Sequence, residues 1–147
     1  MNRIEALAAA VREEGADALL LTGEVNLIYV TTTIALEGQC LIFPDGKAIF
    51  VTDGRYTETA EQQLIPLGFA VITRPQTTAL YEFLQTLLRE HGVQKLMYED
   101  DVLTVDEFAV MRELLSISFQ PVRARIRKLR ANKSEEEIAE MEKAFEL

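Results

Sequence analysis

The chain predicts an α/β fold: a mixed, mostly parallel sheet with one β-hairpin and helices on both faces. Three observations carry this. Short apolar runs of strand length alternate with helix-period segments along most of the 147 residues, a pattern that lays helices over a parallel or mixed sheet. The run Ala18-Leu19-Leu20-Leu21 is continuously apolar, as in a strand covered on both faces. Pro44-Asp45-Gly46-Lys47 separates two β-prone runs; proline presets one turn dihedral and glycine supplies a positive φ, which makes a hairpin.

The elements follow in order. Ile4, Leu7, Ala8 and Val11 recur at helical spacing before Gly15, so a helix is expected from Asn2 to Glu14. The strand Ala18–Leu21 comes next, then Val25 to Val30 as a short helix or a turn. Thr31-Thr32-Thr33 is β-branched and is not expected to extend it. Gln39 to Phe43 and Ala48 to Thr52 form the hairpin strands. Asp53-Gly54 ends the second of them, with Asp53 placed as the cap of a helix over Tyr56 to Leu64 and Gly54 as the residue that permits the tight turn. Pro66 and Gly68 stop that helix before a strand at Phe69 to Thr73. Thr77 or Thr78 is expected to cap a helix reaching His91, whose apolar face is Leu80, Phe83, Leu84, Leu87 and Leu88. Lys95 to Tyr98 is a strand. Thr104-Val105-Asp106-Glu107 has the form of a capping box, hydroxyl and carboxylate each taking a free N–H, and opens a helix to Leu115. Ser118 to Val122 is the last strand.

Composition excludes several functions. With 24 acids against 15 bases the formal net charge is −9. Phosphate binding needs a surplus of Lys and Arg, so nucleic acid is not an expected partner, nor is an anionic membrane. A single cysteine forms no internal disulfide. No apolar run reaches transmembrane length, and the first residues lack the apolar core of a signal peptide. A cytoplasmic protein is the expectation.

The charge is unevenly spread. Residues 1–122 carry 18 acids and 8 bases, whereas Arg123, Arg125, Arg127, Lys128, Arg130 and Lys133 crowd six of the fifteen bases into one run. Such a run is an anion-binding patch or a solvated helix face joining two parts of a larger chain, and the acidic whole favours the second reading. Ser134-Glu135-Glu136-Glu137 then reads as a helix N-terminus. The stripe Ile138, Met141, Phe145 follows it without a closing cap. This is the start of a helix of a truncated further domain, or a terminal helix docked back on the sheet; the first reading is favoured.

Few residues offer chemistry. His91 is the only histidine and reads as a helix-end side chain, with no second ligand to complete a zinc set. Cys40 sits in an apolar strand with no base beside it, so it reads as a buried small hydrophobe. Glu99-Asp100-Asp101 could hold a divalent cation through oxygen, but reads first as a solvated loop. Thr52-Asp53-Gly54-Arg55-Tyr56 is the most distinctive stretch and reads as a structural corner.

These segments together resemble the N-terminal domain of the creatinase, prolidase and aminopeptidase P family of metallopeptidases. Asp17-Ala18-Leu19-Leu20-Leu21 resembles its first strand. Asn26-Leu27-Ile28-Tyr29-Val30-Thr31 is similar to its Asn-x-x-Tyr-Leu-Thr segment. Thr52-Asp53-Gly54-Arg55-Tyr56 matches its Thr-Asp-x-Arg-Tyr signature, and Glu99-Asp100-Asp101 resembles a common acidic turn. Leu129-Arg130-Ala131-Asn132-Lys133-Ser134-Glu135-Glu136-Glu137-Ile138 is similar to its hinge, usually Leu-Arg-x-x-Lys-Ser-x-x-Glu-Ile. One departure stands out. The family continues Tyr-Leu-Thr with Gly-Phe, and here Thr32-Thr33-Ile34 follows Thr31.

The resemblance implies a ribonuclease H-like domain over residues 1–122, a basic hinge over 123–133, and over 134–147 the start of the first helix of a truncated C-terminal metallopeptidase domain. Two divalent metals, manganese or cobalt, are implied in that domain, held by two Asp, one His and two Glu, and no metal or catalytic residue in this chain. The implied role is non-catalytic: supporting a homodimer and walling the partner's active site against a proline-containing peptide. Thr31, Thr32, Thr33 and Ile34 are the candidate lip of that wall. Asn26, Tyr29, Asp53, Arg55 and Tyr56 are signature residues with structural roles. The alternatives are a free-standing α/β binding or dimerisation module, and the N-terminal domain of a creatinase-like amidinohydrolase.

Overall fold

The structure is a computed structural model that describes residues 2–33 and 36–132. Helix α1 (Arg3–Glu13) is capped by Asn2, whose side chain accepts from the Glu5 N–H. It leads into β1 (Ala18–Leu21) and α2 (Glu24–Thr31). The hairpin strands are β2 (Gln39–Ile42) and β3 (Ala48–Thr52), followed by α3 (Thr57–Leu64) and β4 (Phe69–Thr73). Helix α4 (Leu80–Glu90), β5 (Lys95–Tyr98), α5 (Val105–Leu114), β6 (Ser118–Pro121) and α6 (Arg125–Ala131) complete the described chain.

The described strands form one six-stranded sheet in the order β4-β3-β2-β1-β5-β6. Only β2 runs against the rest: β1–β2 and β2–β3 pair antiparallel, and β3–β4, β1–β5 and β5–β6 pair parallel. The hairpin turn works as its residues require. Gly46 has φ +91°, its N–H donates to the Phe43 carbonyl, and the Asp45 carboxylate takes the Lys47 N–H at 2.9 Å.

Period-two geometry divides the core. Leu19 and Leu21 face one layer with Ile42 and Phe50, covered by Leu7 of α1, Ala60 and Leu64 of α3 and Ile126 of α6. Ala18 and Leu20 face the other with Leu41 and Ile49, covered by Leu84 and Leu88 of α4 and Met111 of α5. That is why β1 carries no polar residue and is buried throughout.

Several local expectations are corrected. The cap expected of Asp53 is absent: α3 starts after Tyr56 without a side-chain cap. Gly54 is not forced by its turn, since it lacks a positive φ and an added Cβ would meet nothing within 4 Å. Neither Thr77 nor Thr78 caps α4, whose N-cap is Ala79. Thr31 does extend α2. Its hydroxyl donates back to the Leu27 carbonyl at 2.7 Å, which accommodates the β-branched residue in the last turn, and Thr32 ends the helix at φ 58°. The capping box forms as read: Thr104 Oγ1 accepts from the Glu107 N–H and Glu107 Oε1 from the Thr104 N–H, both at 3.0 Å.

The basic run is helix α6, packed on the domain. Ile126 is buried, Arg125 pairs with Glu13 and with Glu14, and Arg127 pairs with Asp101 at 3.2 Å. Two of its cations, Arg125 and Arg127, are thus turned onto neighbouring acids, and Arg130 donates to Asn26. Ile34, Lys133 and the helix expected over 134–147 lie outside the described residues. Among the described residues, no helix is long and apolar enough to cross a membrane.

Candidate functional site

Strand polarity gathers the distinctive residues at one rim of the sheet. β1, β3 and β5 all point their C-terminal ends there, and antiparallel β2 begins there. Thr22, Gln39, Thr52-Asp53 and Glu99 therefore meet at one edge. From β1 the chain first adds strands on one side and later, through β5, on the other. Such a switch of direction is where open α/β sheets leave a crevice.

In this protein that crevice is filled from within. Glu99, 1% exposed, sends its carboxylate into the turn that enters α2. Oε1 accepts from the Thr22 N–H, from Thr22 Oγ1 at 3.0 Å and from the Gly23 N–H at 3.0 Å. Oε2 accepts from Asn26 Nδ2 at 2.6 Å. Asn26, also buried, accepts through Oδ1 from Arg130 of α6. Burying a carboxylate is costly unless its lone pairs are filled, and four donors fill these. The acidic turn was expected to be solvated, and for Glu99 that is corrected. Only Asp100 and Asp101 point outward, Asp100 taking the Arg123 N–H at 3.0 Å and Asp101 pairing with Arg127.

Beside this network lies a cleft of about 430 Å³. Its walls are Leu27, Ile28 and Leu36, its polar lining includes Thr22, Thr31 and Thr33, and its charged residues are Glu24 and Glu37. Phe50 and Gly38 form its inner end. Of the candidate lip, Thr31 and Thr33 line the cleft, whereas Thr32 is turned to a separate hollow with Ile4, Val30 and Leu67. The left-handed backbone at Thr32 is what sends neighbouring side chains opposite ways. Tyr29 faces away as well: its carbonyl takes an Arg3 guanidinium N–H at 2.7 Å and the same guanidinium lies 4.6 Å over its ring.

The Asp53 corner closes on itself at the cleft's edge. The Asp53 carboxylate takes the Arg55 N–H, Nε–H and Nη2–H at 2.9 to 3.1 Å. Those hydrogen bonds hold its carboxyl below the usual carboxylate range and push the guanidinium up. The guanidinium also lies 5.2 Å over the Tyr56 ring and 3.7 Å from the Glu37 carboxylate, and Thr52 Oγ1 donates to the Glu37 carbonyl at 2.7 Å. Arg55 is thus committed to Asp53 and braces the Glu37 rim.

The remaining candidates are structural. His91 ends α4, with Nδ1 2.9 Å from the Leu87 carbonyl and its ring tilted against Phe43. Cys40 is fully buried, and burial, reinforced by the negative Glu99, pushes its thiol far up. The thiolate is the reactive form, so native protein at pH 8 is expected to leave a disulfide reagent unreacted, with one thiol appearing in urea; stoichiometric labelling of folded protein would refute the placement. No group of three His, Cys, Asp or Glu among the described residues could hold a metal ion. The two metals implied by the resemblance have no fit on these residues.

Comparison with known proteins agrees with this architecture. Residues 3–132 match the family model described as the creatinase/prolidase N-terminal domain. The uncharacterized peptidase YqhT of Bacillus subtilis (strain 168) is 32% identical over 150 residues, covering 99% of this chain and 40% of that protein. An Xaa-Pro dipeptidase from Bacillus anthracis is 32% identical with a TM-score of 0.79, over 92% of this chain and 37% of that one. The N-terminal domain of the cytoplasmic peptidase PepQ from Mycobacterium tuberculosis H37Rv is 27% identical with a TM-score of 0.72, over 86% and 97% of the two chains. This chain therefore spans about two fifths of the length of the full-length relatives and nearly all of a separate N-terminal domain. On the family match over residues 3–132 and the shared fold, the chain belongs to the creatinase/prolidase N-terminal domain family.

Proposed function

We propose that this chain serves as the non-catalytic N-terminal domain of a proline-directed metallopeptidase, an Xaa-Pro dipeptidase or aminopeptidase P. In this reading it supports a homodimer and walls the partner's active site. The observation that carries it is the family match over residues 3–132 together with the Xaa-Pro dipeptidase from Bacillus anthracis, of which this chain resembles 37%. The cleft supports the walling role. It is edged by Thr31 and Thr33, apolar along Leu27, Ile28 and Leu36, and bordered by Glu24 and Glu37, a lining suited to a short peptide with an apolar side chain and a free ammonium group.

The two metals, manganese or cobalt, belong in this reading to a C-terminal catalytic domain, where they would activate the attacking water. The test is a turnover assay on this chain joined to the remainder of its open reading frame, with Xaa-Pro peptides, longer Xaa-Pro-Xaa peptides and creatine as substrates and manganese or cobalt added. Xaa-Pro cleavage by the joined protein, with none by residues 1–147 alone, is the expected result. Creatine hydrolysis instead would move the reading to an amidinohydrolase. Turnover by the isolated chain would overturn the non-catalytic role.

A further inference from the structure

Three segments that the sequence singles out far apart in the chain meet in one hydrogen-bonded line. Arg130 of α6 donates to Asn26 Oδ1, and Asn26 Nδ2 donates to Glu99 Oε2 at 2.6 Å. Glu99 Oε1 in turn takes the Thr22 and Gly23 N–H groups. Glu99 is 1% exposed, and among the described residues no cation pairs with its carboxylate directly. Its other contacts are neutral donors. Among the described residues, the positive group tied to it is the Arg130 guanidinium, one amide away.

The orientation of Asn26 is dictated from both ends. Its NH2 must face the carboxylate and its carbonyl the guanidinium, so the amide dipole lies along the line from cation to anion. A hydrogen bond polarised at both ends is stronger than either alone in a low-dielectric setting. Aspartate at this position would set a second carboxylate against Glu99, which is why an amide and not an acid completes the line.

We infer that Arg130, acting through Asn26, is the distant counter-charge of Glu99 and a positioning residue for the cleft. The residues at the line's far end form the cleft: Thr22 lines it directly, and Leu27, Ile28 and Thr31 follow Asn26 on α2. The near end is the last turn of α6, from which the chain continues through Asn132 toward residue 147. The docking of α6 and the shape of the cleft are thereby one coupled state. Its importance to catalysis rests on the peptidase reading above; the coupling itself does not.

The experiment is amide hydrogen exchange by NMR on the 147-residue chain, read at Thr22, Gly23, Leu27 and Thr31. Arg130→Met is expected to lower protection of the Thr22 and Gly23 amides at least tenfold, and Arg130→Lys to restore part of it. Arg127→Met serves as control, because it removes a cation from the same helix that pairs with exposed Asp101 instead; it should change those amides less than twofold. Asn26→Ala should reproduce the Arg130→Met effect, and the double variant should lose no more than the larger single. Unchanged protection in Arg130→Met, equal losses in Arg127→Met, or additive losses in the double variant would each overturn the coupling. If Asn26→Ala fails to fold, the three arginine arms still decide. None of these outcomes touches the peptidase assignment, which the turnover assay tests separately.

Discussion

Glu99→Ala is expected to destabilise the domain by about 3 kcal/mol or more. The carboxylate fills the crevice between β1 and β5 and receives two backbone N–H groups, a hydroxyl and an amide. Removing it strands donors in a partly buried turn, and a buried unsatisfied donor costs about 1–3 kcal/mol each. Thr22 Oγ1 and the Asn26 amide can turn toward other partners, whereas the Thr22 and Gly23 N–H groups cannot. The loss of the side chain also frees Arg130 and Asn26 from their line. Asp100→Ala, one residue on and exposed, gives up a single bond to the Arg123 N–H and should cost less than about 1 kcal/mol. Urea melts of both variants check this, with the midpoint shifting at constant slope. A Glu99→Ala midpoint equal to that of Asp100→Ala would show that Glu99 does not hold the crevice together.

Gly38→Ala should be the most damaging glycine substitution among the described residues, at about 3 kcal/mol. A Cβ at Gly38 would stand 2.3 Å from the Val51 carbonyl oxygen and 2.7 Å from the Phe50 ring. The first neighbour is backbone of β3 and cannot rotate away, and the second is a core side chain, 1% exposed. Relief requires moving the end of β2 off β3, where Gln39 pairs with Val51. Overpacking of this kind costs roughly 1–3 kcal/mol, more where backbone must shift. Because Gly38 also closes the inner end of the cleft, the same change should open the cleft. Gly54→Ala offers the contrast. Its new methyl group meets nothing, and the loss of unfolded-state freedom should leave stability unchanged or raised by about 0.4–1 kcal/mol. Thermal and urea midpoints of the pair decide the matter; equal midpoints would refute the close approach.

What could be read from residues alone was what local physics controls. Short β-prone runs marked every described strand to within a residue or so, most plainly at β1, where a strand buried on both faces admits nothing polar. Pro44-Asp45-Gly46 marked the hairpin, and Thr104-Val105-Asp106-Glu107 the capped helix, since both depend on residues within four positions. The Asp53 cap failed for the same kind of reason. Asp53, four residues ahead of the first residue of α3, has a competing local partner in the Arg55 N–H and guanidinium, and the nearer partner took it. Thr31 and Thr33 line the cleft, but only the left-handed turn at Thr32 showed that its own side chain faces elsewhere.

The sequence by itself determined the fold class, the element order and the family, through hydrophobic period, turn chemistry and motifs in a set order. The tertiary structure alone decided the role of Glu99. An acid between a strand and two aspartates reads as solvated, because residue type records charge but not depth. Depth arises when β5 is placed parallel to β1, which carries the residue after Tyr98 under the turn after Leu21. The same placement turned Asn26 and Arg130, distant in the chain, into a single polar line. Long-range pairing of this sort has no local signature, since its donors and acceptors are satisfied only after the sheet has formed.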